Sequence, residues 1–258
     1  MLDNLKLAVA FLTRIRVGIT HDTADKRLAR CVSAFPAVGL LIGVCAATAD
    51  MVARYLFSSL GALGASFLGA FTALSVCCVL TGALHIDGLA DTLDGLLGGR
   101  DLHHTLEIMK DPRVGAAGVI GIVLDIGARL LLLGFLPETH RFAVIMIAPV
   151  VGRLCQVFGV VCWPYARKSG AGKPFAQYAG YRELGWAAGI SLCITLVTFR
   201  LAHAPPLLLL GAMSGCLVAA ALFASAVARR LAGLTGDVYG AMNEIAEISF
   251  IALFAVLL

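Results

Sequence analysis

Charge is what this chain has least of. Lys, Arg, Asp and Glu make up 14% of its 258 residues, while 60% are hydrophobic. A soluble domain is nearer half apolar and a quarter charged, so an ordinary water-exposed globule is excluded, and the mean hydropathy of +0.92 agrees. No hydrophilic stretch is long enough to form a separate soluble domain. No Cys-x-x-Cys pair occurs, and the eight cysteines lie mostly in apolar runs. They read as small core residues, not as a disulfide framework or a zinc site. No cleavable signal is expected at the start, because Asp3 and Lys6 precede a short apolar run that ends in Arg14 and Arg16. Internal repeats and low-complexity linkers are absent as well.

What the chain does have is long apolar runs, at about 31–57, 60–86, 114–136, 141–163, 184–199, 204–228 and 244–258. At ~20 residues per span they predict an all-α, polytopic membrane bundle of seven helices. Residues 1–16 add an interfacial amphipathic helix, and the polar, basic stretch 17–30 follows it. The whole chain, 1–258, forms one domain. With the N-terminus on the cytoplasmic side, fifteen of the twenty Lys and Arg residues fall in cytoplasmic segments. Only Arg54, Arg141 and Arg200 fall on the other side, with Arg129 and Arg153 inside spans. That asymmetry predicts an N-in, C-out topology.

The carboxylates cluster beside the basic loops. Residues 85–95, HIDGLADTLDG, hold Asp87, Asp91 and Asp94 at i, i+4 and i+7, on one helical face. Three like charges there call for a cation, and a hard divalent ion such as Mg²⁺, completed by phosphates, suits oxygen ligands. An acidic solvent-facing stripe is the plain alternative. Residues 107–118, EIMKDPRVGAAG, gather Glu107, Lys110, Asp111 and Arg113 after a helix that Pro112 ends. Lys110 and Arg113 suit phosphate, as does Arg14 near the start, although snorkelling explains many such side chains. In residues 235–247, TGDVYGAMNEIAE, Thr235 or Asp237 caps a helix, and Glu244 and Glu247 follow on nearly the same face. Asp125 and Arg129 read as an ion pair within a span. Arg153 has no partner in its own run and is expected to meet a carboxylate of another helix or the polar site. FPAVG at 35–39 predicts a kink or a close helix contact.

HIDGLADTLDG, EIMKDPRVGAAGV and TGDVYGAMNEIAE, in that order, closely resemble segments of the integral-membrane cobalamin synthases, the adenosylcobinamide-GDP ribazoletransferases; FLTRIRV and FPAVG are similar too. The resemblance implies a Mg²⁺-dependent transferase at the bacterial or archaeal inner (cytoplasmic) membrane, with its active site on the cytoplasmic side. Its substrates would be adenosylcobinamide-GDP and α-ribazole or its 5′-phosphate, with GMP released and adenosylcobalamin or its 5′-phosphate formed. Lipid is the expected environment, nucleic acid is no partner, and a homo-oligomer stays open. In that chemistry Asp87, Asp91 and Asp94 would bind the metal. Asp94, then Asp237, would be the base, with Asp91 also catalytic. Lys110, Arg113, Arg14, Arg153, Glu107, Asp111, Glu244 and Glu247 would hold substrate. Two other functions remain in view. A CDP-alcohol phosphotransferase shares the opening Asp91, Asp94, Gly95 pattern but not its later residues, and an ion-coupled transporter would give Asp125 its use.

Overall fold

The computed structural model describes residues 2–18, 25–202 and 206–257; parts of the polar stretch 17–30 and the start of the run 204–228 lie outside them. The described residues form twelve α-helices and no strand. Two short helices, α1 (Leu2–Leu12) and α2 (Asp25–Arg30), precede α3 (Phe35–Ser59), α4 (Ala65–Thr81) and α5 (Leu84–Gly98). Then come α6 (Leu102–Ile108), α7 (Ala116–Phe135), α8 (Glu138–Cys162) and the short α9 (Lys173–Tyr178). The chain finishes with α10 (Tyr181–Leu201), α11 (Pro206–Leu231) and α12 (Gly236–Leu257).

Six stretches are long and apolar enough to cross a membrane, and the bent pair α4–α5 brings the number to seven when it is counted as one span. Successive crossings run in opposite directions. At one end of the bundle Phe67, starting α4, packs edge to face on Phe135, ending α7, at 5.1 Å between centroids. At the same end Arg54 Nη1 donates to Glu138 Oε1 at 2.8 Å, and His140 lies against Phe254 near the end of α12. At the other end Phe35, starting α3, shares a cavity wall with Asp87 and Asp237. The helix α1 is also there, with Phe11 stacked on Phe35. Seven crossings thus leave α1 and the C-terminus at opposite ends, as an odd number must.

The run 60–86 does not form one straight span. Helix α4 stops at Thr81, and the chain turns by 88° into α5. Gly82 and Ala83 make the corner in the left-handed region, with φ of 62° and 57°. Glycine adopts that conformation freely, whereas for Ala83 it costs about 1–2 kcal/mol. The end of α1 wedges into the corner. Arg14 N donates to Leu80 O at 2.7 Å, and a Cβ on Gly82 would collide with the Arg14 guanidinium. With α4 making the crossing, α5 lies across the N-terminal ends of α7 and α12 and carries its aspartates there.

Helices α3 and α8 meet through small residues, as helices do in lipid. A Cβ on Gly39 would lie 2.5 Å from Pro149 O, and one on Gly43 would strike Met146. The FPAVG segment therefore marks a close contact, while Pro36 sits harmlessly in the first turn of α3.

The sequence counts Arg54 and Arg141 as loop cations; the structure corrects this for Arg141. Its side chain is fully buried and donates to Asp50 Oδ1 at 2.6 Å from Nη2 and to Ser66 O at 2.6 Å. It also bonds Leu133 O, so one guanidinium ties α3, α4, α7 and α8. Arg54 Nε adds a second bond to Asp50 at 3.0 Å. Removing one partner of such a pair strands a buried charge. Arg141→Met alone is expected to lower unfolding stability in detergent by about 3–5 kcal/mol, and the double variant Asp50→Leu/Arg141→Met to recover most of it. An unchanged melting transition in the single variant would remove this role.

Candidate functional site

Glycines let α5 sit directly on α12. A Cβ on Gly88 would lie 2.7 Å from Asp237 O, and one on Gly240 would lie 3.2 Å from His85 O. This contact brings the two acidic segments together, as the sequence predicts. Thr235 performs the capping of α12: Val238 N donates to its Oγ1 at 3.3 Å. The Asp237 carboxylate is thereby free to face Arg167, whose Nη2 lies 2.7 Å from Oδ2.

The three aspartates of α5 separate by role. Asp87 is exposed and Asp91 half-buried. Asp91 stands in the field of Asp237, Asp87 and Asp94, with Arg167 the opposing cation. That crowding of negative charge invites a cation or a proton. Asp94 departs from the expected metal and base roles. Both its oxygens accept backbone N–H groups, from Gly115 at 2.7 Å and from Gly118 at 2.8 Å. It caps α7 from a neighbouring helix and supplies negative charge at that helix's positive end. Glycine is required at 115 and 118, since a Cβ at either would run into this carboxylate.

The loop before α7 frames the rim. Arg167 Nη2 also donates to Met109 O at 3.2 Å, beside the exposed Lys110. Asp111 and Arg113 are mutual partners through a 2.6 Å bond from Nη2, and this guanidinium holds the Asp111 carboxyl down at about 2. Glu107 lies 3.5 Å from His103 at the surface. Of the phosphate-binding expectations in this loop, Lys110 thus remains unengaged among the described residues, and Arg113 would have to leave Asp111. Arg14 packs at the α4–α5 corner, with its side chain exposed.

Glu244, Glu247 and Arg153 belong elsewhere, which corrects the expectation that they line the rim. They lie in a buried layer beneath α5. Arg129 Nη1 donates to Glu247 Oε2 at 2.8 Å, its Nε to Asp125 at 3.2 Å, and its Nη2 to Glu244. Arg153 Nη1 donates to the other oxygen of Glu247, and Nη2 meets His85 Nδ1 at 3.3 Å. Asn243 Nδ2 donates to Glu244 Oε1 and Glu247 Oε1. The Asp125–Arg129 pair is present as predicted, and Arg153 meets a carboxylate of another helix. With both guanidinium groups engaged by carboxylates, neither is presented to a phosphate. A cavity of about 30 Å³, the room of a single water, adjoins the layer.

Arg167 is the residue that sequence reasoning missed, counted there only as a loop cation. The signal was its setting, Arg167-Lys168-Ser169-Gly170-Ala171-Gly172-Lys173, a basic glycine-rich stretch that folds back on the site. His85, in the first turn of α5, is buried against Arg153.

Among the described residues no three Asp, Glu, His or Cys side chains close on one point as a complete metal cage. The rim offers instead a few oxygen donors, Asp87, Asp91 and Asp237, beside one guanidinium. Such a rim suits a metal whose shell is finished by phosphates. Asp94→Ala is expected to lower stability by about 0.5–2 kcal/mol, the usual cost of a lost helix cap, whereas Asp91→Asn leaves the melting transition in place. Equal transitions for Asp94→Ala and the parent would refute the capping role.

The family described as cobalamin-5-phosphate synthase matches residues 4–255. A Desulforamulus reducens protein named adenosylcobinamide-GDP ribazoletransferase is 38% identical over 248 residues, covering 96% of this chain and 94% of its own. Proteins of the same name from Syntrophobacter fumaroxidans and Pseudomonas paraeruginosa are each 36% identical, over 96% and 98% of this chain and the same shares of their own. No solved structure matches. An all-helical membrane bundle whose acidic segments meet across α5 and α12, matched over nearly its whole length, places this chain in the cobalamin-5-phosphate synthase family.

Proposed function

We propose that the chain joins α-ribazole, or its 5′-phosphate, to adenosylcobinamide-GDP, releasing GMP and forming adenosylcobalamin or its 5′-phosphate. Family membership makes it a transferase of cobalamin assembly, and the relatives' name supplies the substrates. The observation that carries the finer reading is the meeting of Asp87, Asp91 and Asp237 beside Arg167 at the end of the bundle.

In the transfer, the oxygen of a free ribose hydroxyl of the acceptor, not the 5′-oxygen that carries the phosphate in α-ribazole 5′-phosphate, bonds to the phosphorus on the cobinamide side of the diphosphate. The bond from that phosphorus to the bridging oxygen breaks, and GMP leaves with the electron pair. The hydroxyl proton passes to a carboxylate. Asp91 suits this best, since Asp94 is committed to α7 and Asp237 to Arg167 and Thr235. Burial first, and then the negative neighbours Asp237, Asp87 and Asp94 against the opposing Arg167, favour proton uptake at Asp91. Arg167 shares its Nη2 between Asp237 and Met109 O, but its Nε has no partner among the described residues, so the guanidinium keeps a donor for the diphosphate, with Lys110 close behind. The exposed oxygen donor Asp87 fits Mg²⁺, which needs only one or two carboxylates when phosphates complete its shell, and this leaves Asp91 to take the proton. When bound there, the ion would neutralise diphosphate charge and polarise the attacked phosphorus. The basic-residue asymmetry of the sequence supports a rim on the cytoplasmic side of the inner membrane.

Asp91→Asn is expected to slow GMP release by roughly 10²–10⁴-fold in purified protein given adenosylcobinamide-GDP and α-ribazole, with insertion and melting unchanged. Near-parental turnover would end its role as base. EDTA should stop transfer and added Mg²⁺ restore it; turnover that survives chelation would rule out the ion.

A further inference from the structure

Beside the rim lies a chamber of about 130 Å³ enclosed by α1, α3, α5, α8, α9 and α12. One wall is aromatic. Phe11, Phe35 and Phe175 pack on one another with ring centroids 4.7 to 6.0 Å apart. The other wall carries His85, Gln156 and Tyr239, only 2%, 5% and 4% exposed. The Tyr239 hydroxyl has no partner among the described residues, and His85 and Gln156, close enough to interact, leave Nε2 and Oε1 without a closed hydrogen bond. A buried polar atom without a partner is destabilising, so three around one small chamber mark a place for a ligand. Asp87 and Asp237 also line the chamber and join it to the rim.

The chemistry of the lining is specific. Arginine can only donate, so the Arg153 contact at 3.3 Å makes His85 Nδ1 the acceptor and leaves the proton of the neutral ring on Nε2. The chamber therefore offers N–H and O–H donors from His85 and Tyr239 and an acceptor from Gln156, between phenyl faces. An aromatic ring nitrogen would take one of the donors, and a sugar hydroxyl would answer the acceptor. At about 130 Å³ the chamber is slightly smaller than a cavity of about 150 Å³ that holds benzene, so it takes one ring of a planar heteroaromatic, with the rest of the base and its sugar extending toward the rim. Water could occupy the polar side but gains little from three phenyl walls.

We propose that this chamber receives the planar aromatic base of the acceptor nucleoside, directing a free ribose hydroxyl toward Asp87, Asp91 and Asp237. The proposal rests on the transfer reaction above and names the subsite for one of its substrates. It makes His85, Gln156 and Tyr239 determinants of which base is accepted.

The test uses the full chain in nanodiscs with benzimidazole as probe, a planar heteroaromatic with an acceptor nitrogen. The parent should bind it, as measured by equilibrium dialysis. Tyr239→Phe, which removes only a hydroxyl, should weaken binding roughly fivefold. Ala171→Phe, at an exposed position lining the chamber, should weaken it more, without a change in melting. Both variants should raise the acceptor's KM while leaving that of adenosylcobinamide-GDP unchanged. No binding by the parent, binding indifferent to both variants, or displacement of benzimidazole by guanosine would overturn the chamber's assignment. Transfer by all three proteins with an unchanged acceptor KM would do the same while leaving the reaction standing. Benzimidazole binding that responds to both variants, with no transfer by the parent, would sink the reaction and keep the chamber.

Discussion

Two arginines buried inside the bundle are the constraint on which the site depends. Arg129 and Arg153 stand on α7 and α8 and reach Glu244 and Glu247 on α12. A charge in the interior of a membrane protein is tolerated only when paired, so these contacts fix how three helices stand relative to one another. Glu247 divides its two oxygens between the two arginines. Rotation of α12 about its axis would break both bonds together, and the same helix carries Asp237 to the rim.

The layer also fixes α5 through His85, whose ring meets Arg153. Two residues further along is Asp87, and one helical turn beyond it is Asp91. The corner at Gly82 and Ala83, packed by Arg14, sends α5 sideways so that its aspartates lie over the N-termini of α7 and α12. Helix N-termini carry partial positive charge. The rim thus combines crossing backbone dipoles, three carboxylates and Arg167 at one end of the bundle. Ionic networks lie at both levels of the fold, with the Asp50–Arg141 pair anchoring the far end and the Arg129–Arg153 layer the near one. Between them the helices are held by apolar packing and by small residues such as Gly39 and Gly43.

Much of this was legible in the residues themselves. Apolar runs and the placement of Lys and Arg were enough for a polytopic helical bundle with seven crossings, because a span in lipid must be long, apolar and internally hydrogen-bonded. Helical spacing placed Asp87, Asp91 and Asp94 on one helix, and the Thr235 cap and the Asp125–Arg129 pair followed from local rules. Spacing along one helix cannot say what stands opposite it. Asp94 and Asp91 are equivalent in the sequence, yet one meets the open N–H groups of α7 and the other meets carboxylates.

The sequence by itself thus determined the all-helical membrane architecture, the approximate number of apolar spans and the presence of two acidic segments, since each depends on composition or on neighbours a turn away. Only the tertiary structure decided that Glu244, Glu247 and Arg153 neutralise one another below the rim and that Arg167 faces Asp237. It also decided that His85, Gln156 and Tyr239 surround one chamber. Those pairings join residues tens of positions apart, and a buried charge or polar group takes whichever partner the packing of other helices brings to it.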